Sequence, residues 1–127
     1  MIIGIGIDLV QVERLAKALR AHGTRFEERV YTDGERSDCN GRADRVQGLA
    51  ARFAAKEACL KALGTGWSGG LSFRQVEVIR SPTGSPSLLL AGAAAERART
   101  LGVRSIHLSL THEPGVAAAV VVLEGEG

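Results

Sequence analysis

Ile3, Ile5 and Ile7 alternate with Gly4, Gly6 and Asp8 at the start of the chain, and an apolar period of two specifies a strand. Its two faces are unequal. One is isoleucine, and the other is glycine until Asp8 closes the run, where no bulky neighbour crowds the carboxylate. The period then changes. Val12, Leu15 and Leu19 recur at helical spacing with Glu13, Arg14, Lys17 and Arg20 opposite them, so a helix follows and Gly23 stops it. Thr24 can cap a short turn carrying Phe26 and Val30. Thr32-Asp33-Gly34-Glu35 reads as a capping box, because Glu35 can reach back to the amide of the cap residue.

The longest helix is expected over 43–63, ended by Gly64, a residue that adopts left-handed backbone after a helix. Val46, Leu49, Phe53, Leu60 and Leu63 form its apolar stripe, with Glu57 at the edge and Lys61 one turn further on. Lys56 falls inside the stripe, where an ammonium must snorkel or pair. After Gly64-Thr65-Gly66 and a glycine-rich loop over 67–70 the pattern becomes β. A strand over 71–80, a turn over 81–86 and a return strand over 87–90 precede an alanine-rich helix over 91–101, which Gly102 ends. Strands over 103–112 and 116–124 form a hairpin around Glu113-Pro114-Gly115. The order βααα–ββ–α–ββ defines an α+β fold, a mainly antiparallel sheet packed with helices.

The 127 residues fit one domain spanning 1–127, because domains commonly run about 100–150 residues. With 45% hydrophobic and 24% charged residues the chain is ordinary globular material, not a disordered one. No apolar run approaches the ~20 residues of a membrane span, and the start of the chain has no basic region before its apolar residues, as a signal peptide would. Cys39 and Cys59 form neither a zinc motif nor a disulfide framework, so a cytoplasmic protein with reduced thiols is expected. A net charge of +2 and 4% aromatic residues argue against nucleic acid as a partner. Arg14, Lys17, Arg20, Arg25 and Arg29 recur in one stretch that is either a solvated helix face or a surface for an acidic partner.

Two groups of residues carry possible chemistry. In the strand over 105–111, Ile106, Leu108 and Leu110 share one face while Ser105, His107, Ser109 and Thr111 share the other. That polar row suits phosphate or nucleotide oxygens, or else it simply faces water. Asp8 and Glu57 are the more specific pair. Two carboxylates with open positions are what Mg²⁺ usually takes from a protein, its other ligands being waters and substrate phosphates. Lys56 and Lys61 flank Glu57, and Gly64-Thr65-Gly66 offers backbone amides just beyond, a combination suited to metal-bound pyrophosphate. The plainer reading of Glu57 and Lys61 is an i,i+4 ion pair, worth only about 0.3–0.5 kcal/mol.

Gly4-Ile5-Gly6-Ile7-Asp8-Leu9-Val10, Arg52-Phe53-Ala54-Ala55-Lys56-Glu57-Ala58 with Lys61-Ala62-Leu63-Gly64-Thr65-Gly66, and His107-Leu108-Ser109-Leu110-Thr111-His112 together closely resemble the bacterial holo-[acyl-carrier-protein] synthases, the small 4′-phosphopantetheinyl transferases. The order and spacing match across essentially the whole chain. The resemblance implies an enzyme that moves the 4′-phosphopantetheine arm of coenzyme A onto a serine of apo acyl carrier protein and releases adenosine 3′,5′-bisphosphate. It implies Mg²⁺ held by Asp8 and Glu57, with Lys61 neutralising pyrophosphate charge and either Glu57 or a metal-bound water as the base. Arg52, Lys56 and His107 are then expected at the coenzyme's phosphates, and Gly64, Thr65, Gly66, Ser109 and Thr111 around its nucleotide. Arg14, Arg25, Phe26 and Arg29 match positions where the family meets its carrier, and the family is typically a homotrimer with sites at subunit interfaces. The chain departs from the pattern at Ser85, where many relatives carry lysine. The runner-up from another class is a non-catalytic nucleotide- or phosphate-binding module on the same scaffold. The grouping of Asp8, Glu57 and Lys61 speaks against it.

Overall fold

A computed structural model of the chain describes residues 1–66 and 68–126. Trp67, in the loop expected over 67–70, lies outside the described residues. Strand β1, Ile2–Gln11, leads into helix α1, Val12–Val30, followed by α2, Asp33–Cys39, and α3, Arg45–Leu63. Strands β2, Val76–Arg80, and β3, Pro86–Leu90, come next, then α4, Gly92–Leu101, and the closing strands β4, Val103–Glu113, and β5, Val116–Gly125. This is the expected order. The strands form an antiparallel β1-β5-β4 sheet and a separate antiparallel β2-β3 ladder.

Local signals set the boundaries. Gly23 breaks α1 into two segments with φ 54° and ψ −133°, a conformation that glycine adopts without steric cost. Thr32 and Glu35 form the capping box in both directions: Glu35 N donates to Thr32 Oγ1 at 3.2 Å and Thr32 N to Glu35 Oε1 at 2.8 Å. α3 ends on Gly64 in the left-handed region, as expected.

The core is organised by the glycine face of β1. A methyl group on Gly4 would collide with the carbonyl of Ala62, and one on Gly6 with that of Ala58, so α3 lies against the strand backbone itself. Ile5, Ile7 and Leu9 therefore face outward, 60%, 61% and 69% exposed, whereas Ile3, at a register shift between Ile2 and Gly4, packs on the core instead of sharing their face. α3 is enclosed on nearly every side rather than along the single stripe expected, because Ala50, Ala51, Ala54, Ala55, Ala58 and Ala62 are buried together with Leu49, Leu60 and Leu63. Alanines supply little amphipathic signal yet permit close packing. The strand expected over 71–80 begins only at Val76; Phe73–Gln75 is a turn of 3₁₀ helix, and Lys56 Nζ donates to the carbonyls of Phe73 and Val76 at either side of it. Among the described residues no helix is long and apolar enough to cross a membrane.

Candidate active site

Asp8 pairs with buried Ala119 across the sheet, so its side chain takes the same face as Gly4 and Gly6, towards α3. From α3 come Glu57 and, one turn later, Lys61. Lys61 Nζ lies 3.0 Å from Asp8 Oδ1 and donates also to the Ile7 carbonyl at 3.1 Å. The plainer alternative, an ion pair between Glu57 and Lys61 within the helix, gives way to one between Lys61 and Asp8 on the neighbouring strand. Asp8, Glu57 and Lys61 line a cleft of about 470 Å³, whose other wall includes Arg14 on α1 and the rings of Phe26 and Phe53. Those rings stack at 6.5 Å, and Phe53 stacks in turn on Phe73 at 5.3 Å. Burial pushes the Glu57 carboxyl above the usual carboxylate range, the Asp8 charge adds to this, and Lys61 opposes it.

A second cleft, of about 210 Å³, is built around Arg52, with Arg42, Arg80, Pro86, Leu110 and His112 on its walls. Arg52 is 2% exposed and donates from Nη1 to the Gly48 carbonyl at 3.1 Å. Among the described residues its Nε and Nη2 have no hydrogen-bond partner, and half-exposed Asp38 makes only a long ion pair, 3.8 Å from Nη2. Arg42 is engaged by both oxygens of Asp44 at 2.9 and 3.0 Å. A buried guanidinium with unfilled donors is a site for an anion. The sequence reading singled out Arg52 but passed over His112. The available signal was strand parity, since His112 is two residues beyond the inward Leu110 and so turns to the same face.

The remaining expected residues divide. Lys56, expected at the coenzyme's phosphates, is fully buried: its ammonium is 2.7 Å from Glu35 Oε1 and donates to two backbone carbonyls. It belongs to the core and is not presented to a ligand. His107, Ser109 and Thr111 are exposed, as parity predicts, while Ile106, Leu108 and Leu110 pack on the core. That polar row lies in line with Ile5, Ile7 and Leu9 across β5, on the outer face of the sheet, so within this chain it does not meet Asp8. His107 Nε2 instead lies 3.0 Å from Glu124 Oε1. Gly64-Thr65-Gly66 follows the end of α3, just beyond the point where Ala62 meets Gly4 near the start of β1. Arg25 and Arg29, both exposed, line a groove along α1 that shares Phe26 with the Asp8 cleft.

The α+β scaffold that gathers these residues is shared with known proteins. Residues 4–121 match the 4′-phosphopantetheinyl transferase superfamily. The holo-[acyl-carrier-protein] synthase of Methylobacterium radiotolerans is 52% identical, over 98% of this chain and 94% of its own length. That of Solibacter usitatus is 45% identical, over 98% and 99%. The crystal structure of the Neisseria meningitidis holo-[acyl-carrier-protein] synthase superposes with a TM-score of 0.90 at 35% identity, covering 98% of this chain and 99% of that one. The Helicobacter pylori enzyme in complex with coenzyme A gives 0.83 at 33% identity, covering 94% and 99%. The chain belongs to the holo-[acyl-carrier-protein] synthase family.

Proposed function

We propose that this protein transfers the 4′-phosphopantetheine group of coenzyme A to a serine hydroxyl of apo acyl carrier protein, leaving adenosine 3′,5′-bisphosphate. The observation that carries the reading is the convergence of Asp8, Glu57 and Lys61 in one cleft, in a chain of this family. The residues fit a magnesium ion. Asp8 and Glu57 are hard oxygen donors from adjacent elements, and a cation, the Lys61 ammonium, already stands on Asp8. Bound there, Mg²⁺ supplies charge neutralisation on the pyrophosphate oxygens. Lys61, 56% exposed along its side chain, can turn its ammonium to the same oxygens. Glu57, on the cleft wall beside Asp8, is suited to accept the serine proton, directly or through a water.

The Arg52 cleft, with its two unfilled donors and His112 beside them, suits a further phosphate of the coenzyme. Arg14 and Phe26 at the rim of the Asp8 cleft, continued by Arg25 and Arg29, offer a basic and partly aromatic face to an acidic carrier. The exposed Ile5, Ile7 and Leu9, continuous with Val120 and Val122 on β5, form an apolar sheet face of the kind that subunits cover. It supports the homotrimer that the family resemblance implies. His107, Ser109 and Thr111 share that face, and we assign them, with Gly64-Thr65-Gly66, to coenzyme contacts made across a subunit boundary. Both cysteines are free and buried, in keeping with a cytoplasmic protein.

Mass spectrometry of apo acyl carrier protein after incubation with the enzyme, coenzyme A and Mg²⁺ tests the reaction. The expected result is a gain of one phosphopantetheine group on the carrier. Tight coenzyme binding with no gain on any apo carrier would instead favour the binding-module reading.

A further inference from the structure

The ammonium of Lys61 is the counter-ion of Asp8. It is 3.0 Å from Oδ1 and held a second time by the Ile7 carbonyl at 3.1 Å. The two partners are unequally placed: the Asp8 side chain is 16% exposed, whereas that of Lys61 is 56% exposed. Asp8 is carried on the strand, while the long, exposed side chain of Lys61 reaches the same cleft from α3. The one other cationic side chain on the cleft wall among the described residues is Arg14, on a different element. A divalent cation approaching Asp8 therefore meets a positive charge already in contact with the carboxylate.

We propose that Lys61 acts as a positioning residue that couples metal binding to coenzyme binding. By neutralising Asp8 it keeps the free protein a poor ligand for a divalent cation. The pyrophosphate of the coenzyme then draws the ammonium off Asp8 and frees that oxygen for the metal. This rests on the transferase reading above, and it adds an order to it: metal and pyrophosphate enter as a mutually dependent pair. Because coupling between two bound ligands is reciprocal, the factor by which coenzyme A tightens the metal must equal the factor by which the metal tightens coenzyme A.

The test is Mn²⁺ binding to the intact protein, read from the electron paramagnetic resonance signal of the free ion, with and without coenzyme A. Lys61 is exposed, so Lys61→Met should fold, and circular dichroism checks this. For the parent protein, coenzyme A should tighten Mn²⁺ by about tenfold or more. In Lys61→Met, Mn²⁺ should bind the free protein several-fold more tightly than it binds the parent, and the effect of coenzyme A should shrink. Adding Asp8→Asn to Lys61→Met should remove the gain. If the parent responds to coenzyme A but Lys61→Met leaves metal affinity for the free protein unchanged or weaker, the counter-ion inference is overturned while the transferase reading stands. If the parent takes up no Mn²⁺ even with coenzyme A, both fail together.

Discussion

Lys56 Nζ lies 2.7 Å from Glu35 Oε1, and neither side chain is exposed to solvent. Glu35 also accepts from the backbone amides of Thr32 and Val78, and Lys56 donates to the carbonyls of Phe73 and Val76. One buried ion pair therefore ties α2, the 3₁₀ turn and β2 to the middle of α3. Burial pulls the proton affinity of Lys56 down, and Glu35 opposes that pull. Lys56 is next to Glu57 in sequence, yet its side chain points about 100° further around α3, into the core and not into the Asp8 cleft.

Lys56→Met should destabilise the protein by about 3–5 kcal/mol, because it leaves the Glu35 charge buried without compensation. Lys56→Met with Glu35→Gln should recover part of that loss by removing the stranded charge. Chemical denaturation measures both. Coenzyme A affinity of the folded fraction should stay within about twofold of the parent; a larger loss would return Lys56 to the ligand.

Glu57→Gln separates activity from stability. Transfer should fall by at least about 100-fold, with the fold retained, since the side chain serves the cleft and not the core. Stability should rise at neutral pH. A carboxyl with a raised folded-state pKa binds its proton more readily in the native state than unfolded, so its contribution is favourable at low pH and is lost as pH rises through the raised value. The advantage of the glutamine should thus disappear below the ordinary carboxylate value. Melting temperatures across that window give the sign directly.

Tyr31 is the only tyrosine in the chain, so phenolate absorbance reads it alone. It is fully buried and donates to the Leu49 carbonyl at 2.8 Å; burial, helped by the charge of Glu35, holds its pKa well above the ordinary value. The native state keeps a proton that the unfolded chain releases near pH ~10, so this contribution to stability is lost as pH rises past that point. Ionisation should coincide with unfolding rather than precede it. Tyr31→Phe should cost about 0.5–1.5 kcal/mol at neutral pH for the lost hydrogen bond.

Arg14→Glu should raise the KM for the acyl carrier protein by about tenfold at low salt and by less at high salt, as a rim charge acting on encounter does. Coenzyme A affinity should change little. The double change with Arg25→Glu should be worse than either single one if one carrier surface meets both. Loss of coenzyme A affinity at constant carrier KM would place the nucleotide, not the carrier, along α1.

Features encoded over a few residues are legible in the sequence itself. The Thr32–Glu35 box, the break at Gly23, the Gly64 stop and the parity of β4 all rest on contacts or angles within one turn or one strand. Features that need a distant partner are not. Nothing near Lys56 in sequence announces Glu35, and nothing near Asp8 announces that Lys61 prefers it to Glu57. The alternation in β1 defines two faces but is symmetric about which one a helix will cover. The alanines of α3 gave no periodic signal, which hid how completely that helix is enclosed.

The contact of Gly4 and Gly6 with the carbonyls of Ala62 and Ala58 has a consequence for how such a site can change over time. With no side chain between β1 and α3, the gap between the acid on the strand and the acid and lysine on the helix has no shim to thicken or thin. That dimension is inherited with the backbone and is closed to gradual mutation. The opposite wall is different: α1 is jointed at Gly23 and meets the cleft through Arg14 and Phe26, side chains that can be exchanged singly. Variation in which carrier is accepted should therefore accumulate on α1, while the strand–helix wall that bears Asp8, Glu57 and Lys61 stays at one fixed width.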